Sequence, residues 1–112
     1  MTKDRTTTSQ IRTLNDVFRT TWLTGKVLMT QGIISLPDQT QSRIAEAVQA
    51  FTAFTQDNDP HDEHDFGAVT IDGYKVFWKI DCYARDMMHG SENPADPTQT
   101  VRVLTIMLAE EH

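Results

Sequence analysis

Residues 67–82, which read GAVTIDGYKVFWKIDC, contain the clearest signal for the fold. Asp72 and Gly73 form the preferred sequence of a two-residue type I′ turn, and alternating apolar and polar residues flank them on both sides. A turn at this position fixes the register of the flanking strands, so that Gly67 lies opposite Trp78. The missing side chain of Gly67 leaves room for the indole ring. The stretch therefore predicts a β-hairpin with one buried face.

Segments before the hairpin show helical and extended patterns. Residues 9–24 and 35–55 carry apolar side chains at helical spacing, and both begin at a serine that can cap a helix. Residues 26–31 read as a strand, and Gly32 follows as a bulge or turn. Residues 1–8 are polar and without period, which predicts a flexible tail. Two helices separated by one strand are therefore expected before the hairpin.

The segment after the hairpin begins with a predicted loop over residues 85–95. Asp96 and Pro97 then supply an N-cap and a proline at the first helical position, which predicts a final helix over residues 96–109. The predicted order is α-β-α-β-β-α. The fold class is α+β, a single domain over residues 9–112 with three helices on one face of a small three-stranded antiparallel sheet.

The charge of the chain is negative and uneven. Its 112 residues include 16 acidic and 10 basic ones, giving a formal net charge of −6. A chain of this charge is not expected to bind phosphate backbones, so no direct nucleic-acid binding is predicted. Residues 57–96 hold ten carboxylates against only Lys75, Lys79 and Arg85. One side of the fold is therefore predicted to be strongly negative.

Composition also bears on the compartment. Cys82 is the only cysteine, so an internal disulfide is impossible, as is typical of proteins from a reducing compartment. The alternation of the hairpin places Cys82 on the buried face, where it serves as a small apolar residue. The amino-terminal residues lack the apolar segment of a secretory signal, and no apolar run approaches membrane-spanning length. A cytoplasmic protein with no membrane contact is predicted.

Most of the candidate chemistry lies in residues 57–67, DNDPHDEHDFG. His61, His64 and Asp65 offer imidazole and carboxylate groups of the kind that bind zinc or manganese. The spacing differs from that of the His-Glu-x-x-His motif, and Pro60 places the preceding segment in a turn, so no predicted helix holds both histidines on one face. The three residues are therefore candidate metal ligands on a loop.

A structural interpretation of the same loop stays open beside the metal site. In that interpretation Asp59 and Asp65 accept hydrogen bonds from loop amides, as short acidic side chains do in turns. Extending the register of the hairpin places His64 opposite Asp81, where the two side chains are expected to pack together. The loop then serves as a scaffold.

The loop that follows the hairpin carries Asp86, His89 and Glu92. Both loops are expected to leave the same end of the hairpin. Convergence of these groups and Asp81 on the first loop would suit metal-assisted or general acid/base hydrolysis. Alternatively, hydrogen bonds and an ion pair from Arg85 tie the two loops together. The sequence contains no nucleophile motif and no glycine-rich phosphate loop.

Several spaced motifs resemble a bacterial family of small uncharacterised proteins. They are DNDPH and EHDFG over residues 57–67, FWKID over 77–81, GSENPADP over 90–97 and VLTIMLAEE over 103–111. The resemblance spans about residues 10–112. It implies a domain of unknown function that is often encoded on plasmids and other mobile DNA. Similar chains carry Tyr-Tyr-Asp where this one has Cys82, Tyr83 and Ala84.

Two functions are predicted. The leading hypothesis is a non-enzymatic protein-interaction module, a monomer or homodimer without a cofactor, whose acidic loops contact a protein with a basic surface. Its narrower form is an inhibitor or modulator of a host nucleic-acid enzyme. The alternative is a small metal-dependent hydrolase or metal-binding protein that uses zinc or manganese. No catalytic residue is assigned. The candidate binding residues are Asp59, His61, Asp62, Glu63, His64, Asp65, Asp81, Tyr83, Arg85, His89 and Glu92.

Overall fold

The computed structural model describes residues 5–112, which form one α+β domain with three helices and a four-stranded sheet. Of the predicted flexible tail, residues 1–4 lie outside the described residues, whereas residues 5–8 belong to the first helix. The elements are α1 (Arg5–Thr21), β1 (Lys26–Met29), α2 (Gln31–Ile34), α3 (Asp38–Gln49), β2 (Phe66–Ile71), β3 (Tyr74–Ala84), β4 (Thr100–Leu108) and a 3₁₀ turn (Ala109–Glu111).

The sheet has the order β1-β4-β3-β2 and is mixed. β3 runs antiparallel to both β2 and β4, whereas β1 pairs with β4 in the parallel sense. The predicted fold class is confirmed, but the predicted three-stranded antiparallel sheet is wrong. The chain supplies a fourth strand, and this strand lies in the interior of the sheet rather than at an edge.

The prediction of a final helix over residues 96–109 is wrong. Asp96 uses its carboxylate to accept hydrogen bonds from the amide and hydroxyl of Thr98 at 2.9 and 2.6 Å, so it closes a turn and starts no helix. Residues 100–108 then form β4. This strand has neighbours on both sides and is apolar on both faces, so its run of apolar residues does not show the alternation of a half-buried strand.

The hairpin agrees with its prediction in turn and register. Ile71 pairs with Tyr74 and Gly67 with Trp78. A Cβ atom on Gly67 would lie 2.5 Å from Nε1 of Trp78, so the indole occupies the space that any larger residue would fill. Trp78 is fully buried and belongs to a core that joins the helices to one face of the sheet.

Helix α3 ends at Gln49, six residues before its predicted end, and Gly32 lies inside α2 instead of forming a bulge. The apolar stripe predicted for the second helix nevertheless reaches the core. Phe51 leaves the helix and packs edge-on against Trp78 with ring centroids 5.4 Å apart. Phe54 follows it toward the loop that precedes β2. Within residues 5–112, the helices lack the length and apolar composition needed to cross a membrane.

Candidate functional site

The loop between α3 and β2 is organised around the carboxylate of Asp59. This residue is buried, and its Oδ1 accepts hydrogen bonds from the amides of Glu63 and His64, both at 3.2 Å. The predicted hydrogen bonding of Asp59 to loop amides is therefore confirmed. The buried carboxylate gives the loop a fixed shape, because it binds two amides that have no partner in a helix or strand.

Helix α1 holds this loop from the other side. Arg12 donates through Nη1 to the carbonyl oxygen of Asp62 at 3.0 Å and to its carboxylate at 2.6 Å. Asn15 donates to the carbonyl oxygen of Glu63 at 2.9 Å, and its own amide oxygen accepts a hydrogen bond from Nε of Arg102 at 2.7 Å. The loop is therefore tied to α1 and, through Asn15, to the interior strand β4.

His64 is fixed on three sides. Its ring stacks on Phe54, with centroids 3.7 Å apart and planes inclined by 2°. Its Nδ1 lies 2.9 Å from Oδ1 of Asp16, and the same oxygen accepts a hydrogen bond from Arg19 at 2.9 Å. An ionised carboxylate only accepts hydrogen bonds, so Nδ1 carries the proton and Nε2 is left with the lone pair when the ring is neutral.

The free nitrogen of His64 faces two carboxylates. Nε2 lies 3.6 Å from Oδ2 of Asp59 and 3.9 Å from Oδ1 of Asp62. One ligand atom from each of the three residues lies within 4.8 Å of the others. These residues also line a cleft of about 380 Å³, together with Phe54 and Pro60 among others. The three side chains are thus a candidate metal site that opens into a cleft.

The backbone at this site is in a conformation that few residues adopt. Asp62 and His64 have φ angles of 57° and 55°. Such angles cost free energy for residues with a side chain, and they persist only where the surrounding contacts impose them. Here they have a direct consequence for His64. Because of the left-handed conformation, the side chain of His64 does not continue the alternation of side chains along β2. Its ring points toward α1 instead.

Three of the sequence-predicted interactions of this loop differ in the structure. His61 is exposed and, within the described residues, lies outside the group of possible ligands. Asp65 is also outside it, and burial together with the nearby charges of Glu63 and Asp59 raises the pKa of its carboxyl. The predicted contact between His64 and Asp81 is wrong, because His64 turns toward Asp16 while Asp81 pairs with Lys79 on its own strand at 3.2 Å.

The second acidic loop does not join the first in one site. His89 pairs with Asp86 of its own loop at 2.9 Å, and the amide of Met88 and the His89 ring lower the pKa of the Asp86 carboxyl. Arg85 donates to the carbonyl oxygen of Thr98, so the predicted tie between the two loops through Arg85 is wrong. Glu92 is exposed, and Tyr83 is half-buried beside this loop, where it bridges to Gly90.

The residues that position the site were missed because they lie on α1, far from the loop in sequence. Asn15 and Arg19 are buried although both are polar, and Asp16 lies beside them on the same side of the helix. The available signal was their spacing. Arg12, Asn15, Asp16 and Arg19 recur at intervals of three and four residues, which places them on one face. That polar face lies next to the apolar stripe, where buried polar groups require partners.

Comparison with protein families gives a match to the family described as "Protein of unknown function (DUF3768)" over residues 29–111. The matched segment contains Asp59, Asp62 and His64 together with all of β2, β3 and β4, whereas Asp16 precedes it. No curated protein and no solved structure matches the chain. The match covers well over half of the chain, which therefore belongs to the DUF3768 family of proteins of unknown function.

Proposed function

We propose that the protein binds a divalent transition-metal cation through His64, Asp59 and Asp62. The observation that carries the proposal is the position of the free nitrogen of His64, 3.6 and 3.9 Å from the two carboxylates. Both separations exceed the range of a good hydrogen bond. A lone pair that faces two negative groups is unfavourable, and a cation between them converts the repulsion into attraction.

Asp16 supports this arrangement from behind the ring. Histidines that bind metals commonly donate their other ring N–H to a carboxylate, which fixes the tautomer and the ring orientation. Asp16 accepts such a bond at 2.9 Å, and the stacking on Phe54 prevents rotation of the ring. Nε2 of His64 therefore points at the site before any cation arrives.

The ligand set favours zinc or manganese over calcium. One imidazole and two carboxylates are typical of zinc and of other first-row metals, whereas calcium takes oxygen ligands alone. In a tetrahedral zinc site the ligand atoms lie about 3.3 Å apart, so the separations of 3.6 and 3.9 Å from Nε2 of His64 need only a small contraction. The metal-site alternative predicted from the sequence thus keeps His64, and Asp59 and Asp62 take the places of His61 and Asp65.

The cleft beside the three residues leaves coordination positions open to water or a substrate. Catalytic zinc sites combine three protein ligands with a water molecule of lowered pKa. A volume of about 380 Å³ accommodates a small molecule next to the cation. Metal-assisted hydrolysis is accordingly the reaction class that we would test once binding is established.

Zinc or manganese is expected to stabilise the chelator-treated protein against heat. A ligand at one hundred times its dissociation constant adds about 2.7 kcal/mol to the free energy of unfolding. Thermal melts and calorimetric titration measure this gain. His64→Ala and Asp62→Asn should abolish it, whereas His61→Ala should keep it because His61 is exposed and outside the ligand group.

The same experiment can contradict the proposal in two ways. A wild-type melt that none of the cations changes would remove the cation site altogether. A stabilisation that survives in His64→Ala and disappears in His61→Ala would move the site elsewhere in the loop. Magnesium serves as a comparison, because it prefers oxygen ligands in a near-ideal octahedron and should stabilise the protein less.

The exposed methionines of the second loop favour a second candidate function, binding to a basic protein. Met88 is 81% exposed and Met87 is 38% exposed, and Asp86 and Glu92 lie in the same loop. Methionine side chains adapt their shape to a partner, and carboxylates around them select a basic one. Inhibition of a host nucleic-acid enzyme is the narrower form of this candidate.

Met88→Ser is expected to reduce capture of basic proteins from a cell lysate to roughly one tenth, since a central apolar anchor typically contributes most of the binding energy. Quantitative mass spectrometry of the captured proteins at low and high salt measures the effect. Ile34→Ser is the matched control, because Ile34 is 54% exposed but lies on α2. Equal loss in both variants, or capture that is insensitive to salt, would count against this candidate.

A further inference from the structure

The face of the sheet opposite the helices has a composition unlike that of the whole chain. Trp78 and Ile80 point into the core, so Phe77 and Lys79 on the same strand point to the other side. We call this side the open face. Its charged and aromatic side chains include Lys26 of β1, Phe66 of β2, and Lys75, Phe77, Lys79 and Tyr83 of β3.

Direct contacts support the assignment of these side chains to one face. Nζ of Lys75 lies 5.6 Å from the ring centroid of Phe77, and the ring of Phe66 lies 5.3 Å from that of Phe77. Lys26 joins them because its neighbour Val27 packs against the core. The open face therefore combines aromatic rings with amino groups, and these surround the buried apolar side chains of Val103 and Met107 that β4 contributes to the same face.

The charge of the open face is opposite to that of the chain. The chain carries −6, yet three of its lysines lie on this face against one carboxylate that the strand alternation places there, Asp81, which pairs with Lys79 at 3.2 Å. Two nearby carboxylates form ion pairs away from this face. Asp62 of the candidate cation site pairs with Arg12, and Asp72 of the hairpin turn pairs with Arg43. Net charge thus conceals a local excess of positive groups.

From this placement we infer that the open face binds single-stranded nucleic acid. Lysines attract the phosphate backbone, and aromatic side chains stack bases of any sequence. A second copy of the chain is a poorer occupant, because it would bring the same lysines against their equivalents. The inference departs from the prediction of no direct nucleic-acid binding, which rested on a net charge that averages over carboxylates that do not lie on this face.

The spacing of the rings suits an extended strand of nucleotides. Phe77 and Tyr83 lie on the same face of β3 six residues apart, a distance of about 20 Å. Lys79 lies between them, and Lys75 lies over the ring of Phe77. A base that stacks on Phe77 takes the place of the Lys75 amino group, which then meets the adjacent phosphate.

Fluorescence anisotropy with labelled twelve-nucleotide oligothymidine and oligouridine tests the inference in the presence of a chelator, so the result is independent of the cation site. Binding is expected at low salt, with a log–log salt slope of about −2 for three lysine contacts on a single strand. Phe77→Leu should weaken binding about tenfold, because leucine keeps the apolar contact and loses the ring.

The lysines have a matched control. The double variant Lys75→Gln and Lys79→Gln should flatten the salt slope to about −0.7, the value for one remaining contact. Arg43 lies on α3, on the helical side of the sheet, so Arg43→Gln should leave the salt slope unchanged. Thermal melts establish that each variant is folded.

Three outcomes would overturn the inference. One is no change in anisotropy at low salt with either oligonucleotide. Another is an equal change of slope for the Arg43 variant and the lysine variant. The third is a wild-type dimer in sedimentation that Phe77→Leu dissociates, which would assign the open face to a second copy of the chain.

Discussion

Replacing Trp78 by alanine is expected to lower the free energy of unfolding by about 3–5 kcal/mol, the range measured for large aromatic residues in protein cores. Trp78 is fully buried. Its ring packs edge-on against the ring of Phe51, with centroids 5.4 Å apart. The guanidinium carbon of Arg19 lies 5.2 Å from the centroid of the Trp78 ring. Position 67 on the neighbouring strand is a glycine, so no side chain there can fill the space that the indole leaves.

Chemical denaturation measures this loss. Tyr74→Ala is the control, since Tyr74 is an aromatic residue of the same strand that is 39% exposed. Its replacement is expected to cost less than about 1 kcal/mol, as is usual for surface positions. Comparable losses in the two proteins would show that Trp78 is not the centre of the core. The Trp78→Ala variant stays folded only if the free energy of unfolding of the wild-type domain exceeds this loss.

Replacing Asn15 by alanine is expected to cost about 3 kcal/mol, because the buried guanidinium of Arg102 and the carbonyl oxygen of Glu63 each lose a hydrogen bond at once. Asn15 is 1% exposed. It accepts a hydrogen bond from Arg102 at 2.7 Å and donates one to the carbonyl oxygen of Glu63 at 2.9 Å. Burial already lowers the pKa of Arg102, and without Asn15 its guanidinium keeps the hydrogen bond from Nη2 to the carbonyl oxygen of Pro94 but loses the acceptor at Nε.

Denaturant titration of Asn15→Ala gives the cost, and Asn93→Ala is the control because Asn93 is an exposed asparagine. A double-mutant cycle with Arg102→Met sharpens the result. If the cost arises from the lost acceptor at Nε of Arg102, Asn15→Ala should be much less damaging when Arg102 is absent. An unchanged cost in that background would assign the effect to Glu63 alone. Cation affinity should also fall in Asn15→Ala, since the loop loses one of its anchors.

The sequence predicts local structure here wherever a short motif determines it. The turn at Asp72 and Gly73 needs left-handed backbone, and its two residues supply it, so the hairpin and its register are confirmed. Residues 100–108 behave differently. They are apolar on both faces, with Leu104 and Ile106 in the core and Val103 and Met107 buried on the other side, and that burial depends on segments elsewhere in the chain. The apolar pattern of a strand buried on both faces resembles that of a buried helix.

In the candidate site, too, some features follow from a short stretch of sequence and others depend on distant parts of the chain. His64 and Asp59 are visible in the sequence because histidines and carboxylates cluster in one short loop. Asp16, which fixes the ring of His64, is 48 residues away in the chain. Its role follows from the packing of α1 on the loop. The backbone angle that turns His64 away from Asp81 likewise arises from these tertiary contacts, since no glycine or asparagine marks it.

The position of β4 has a consequence for how the chain acquires its fold. β4 follows β1, β2 and β3 in the chain, yet it lies between β1 and β3. Before it emerges, β1 has no strand to pair with, and a lone hairpin of β2 and β3 is marginal in water. Pairing of β1 with β4 also joins distant parts of the chain, which slows folding. A nascent chain must therefore keep Trp78 and the apolar faces of its helices from aggregating until translation reaches residue 108, because the sheet forms only after all four strands have been made.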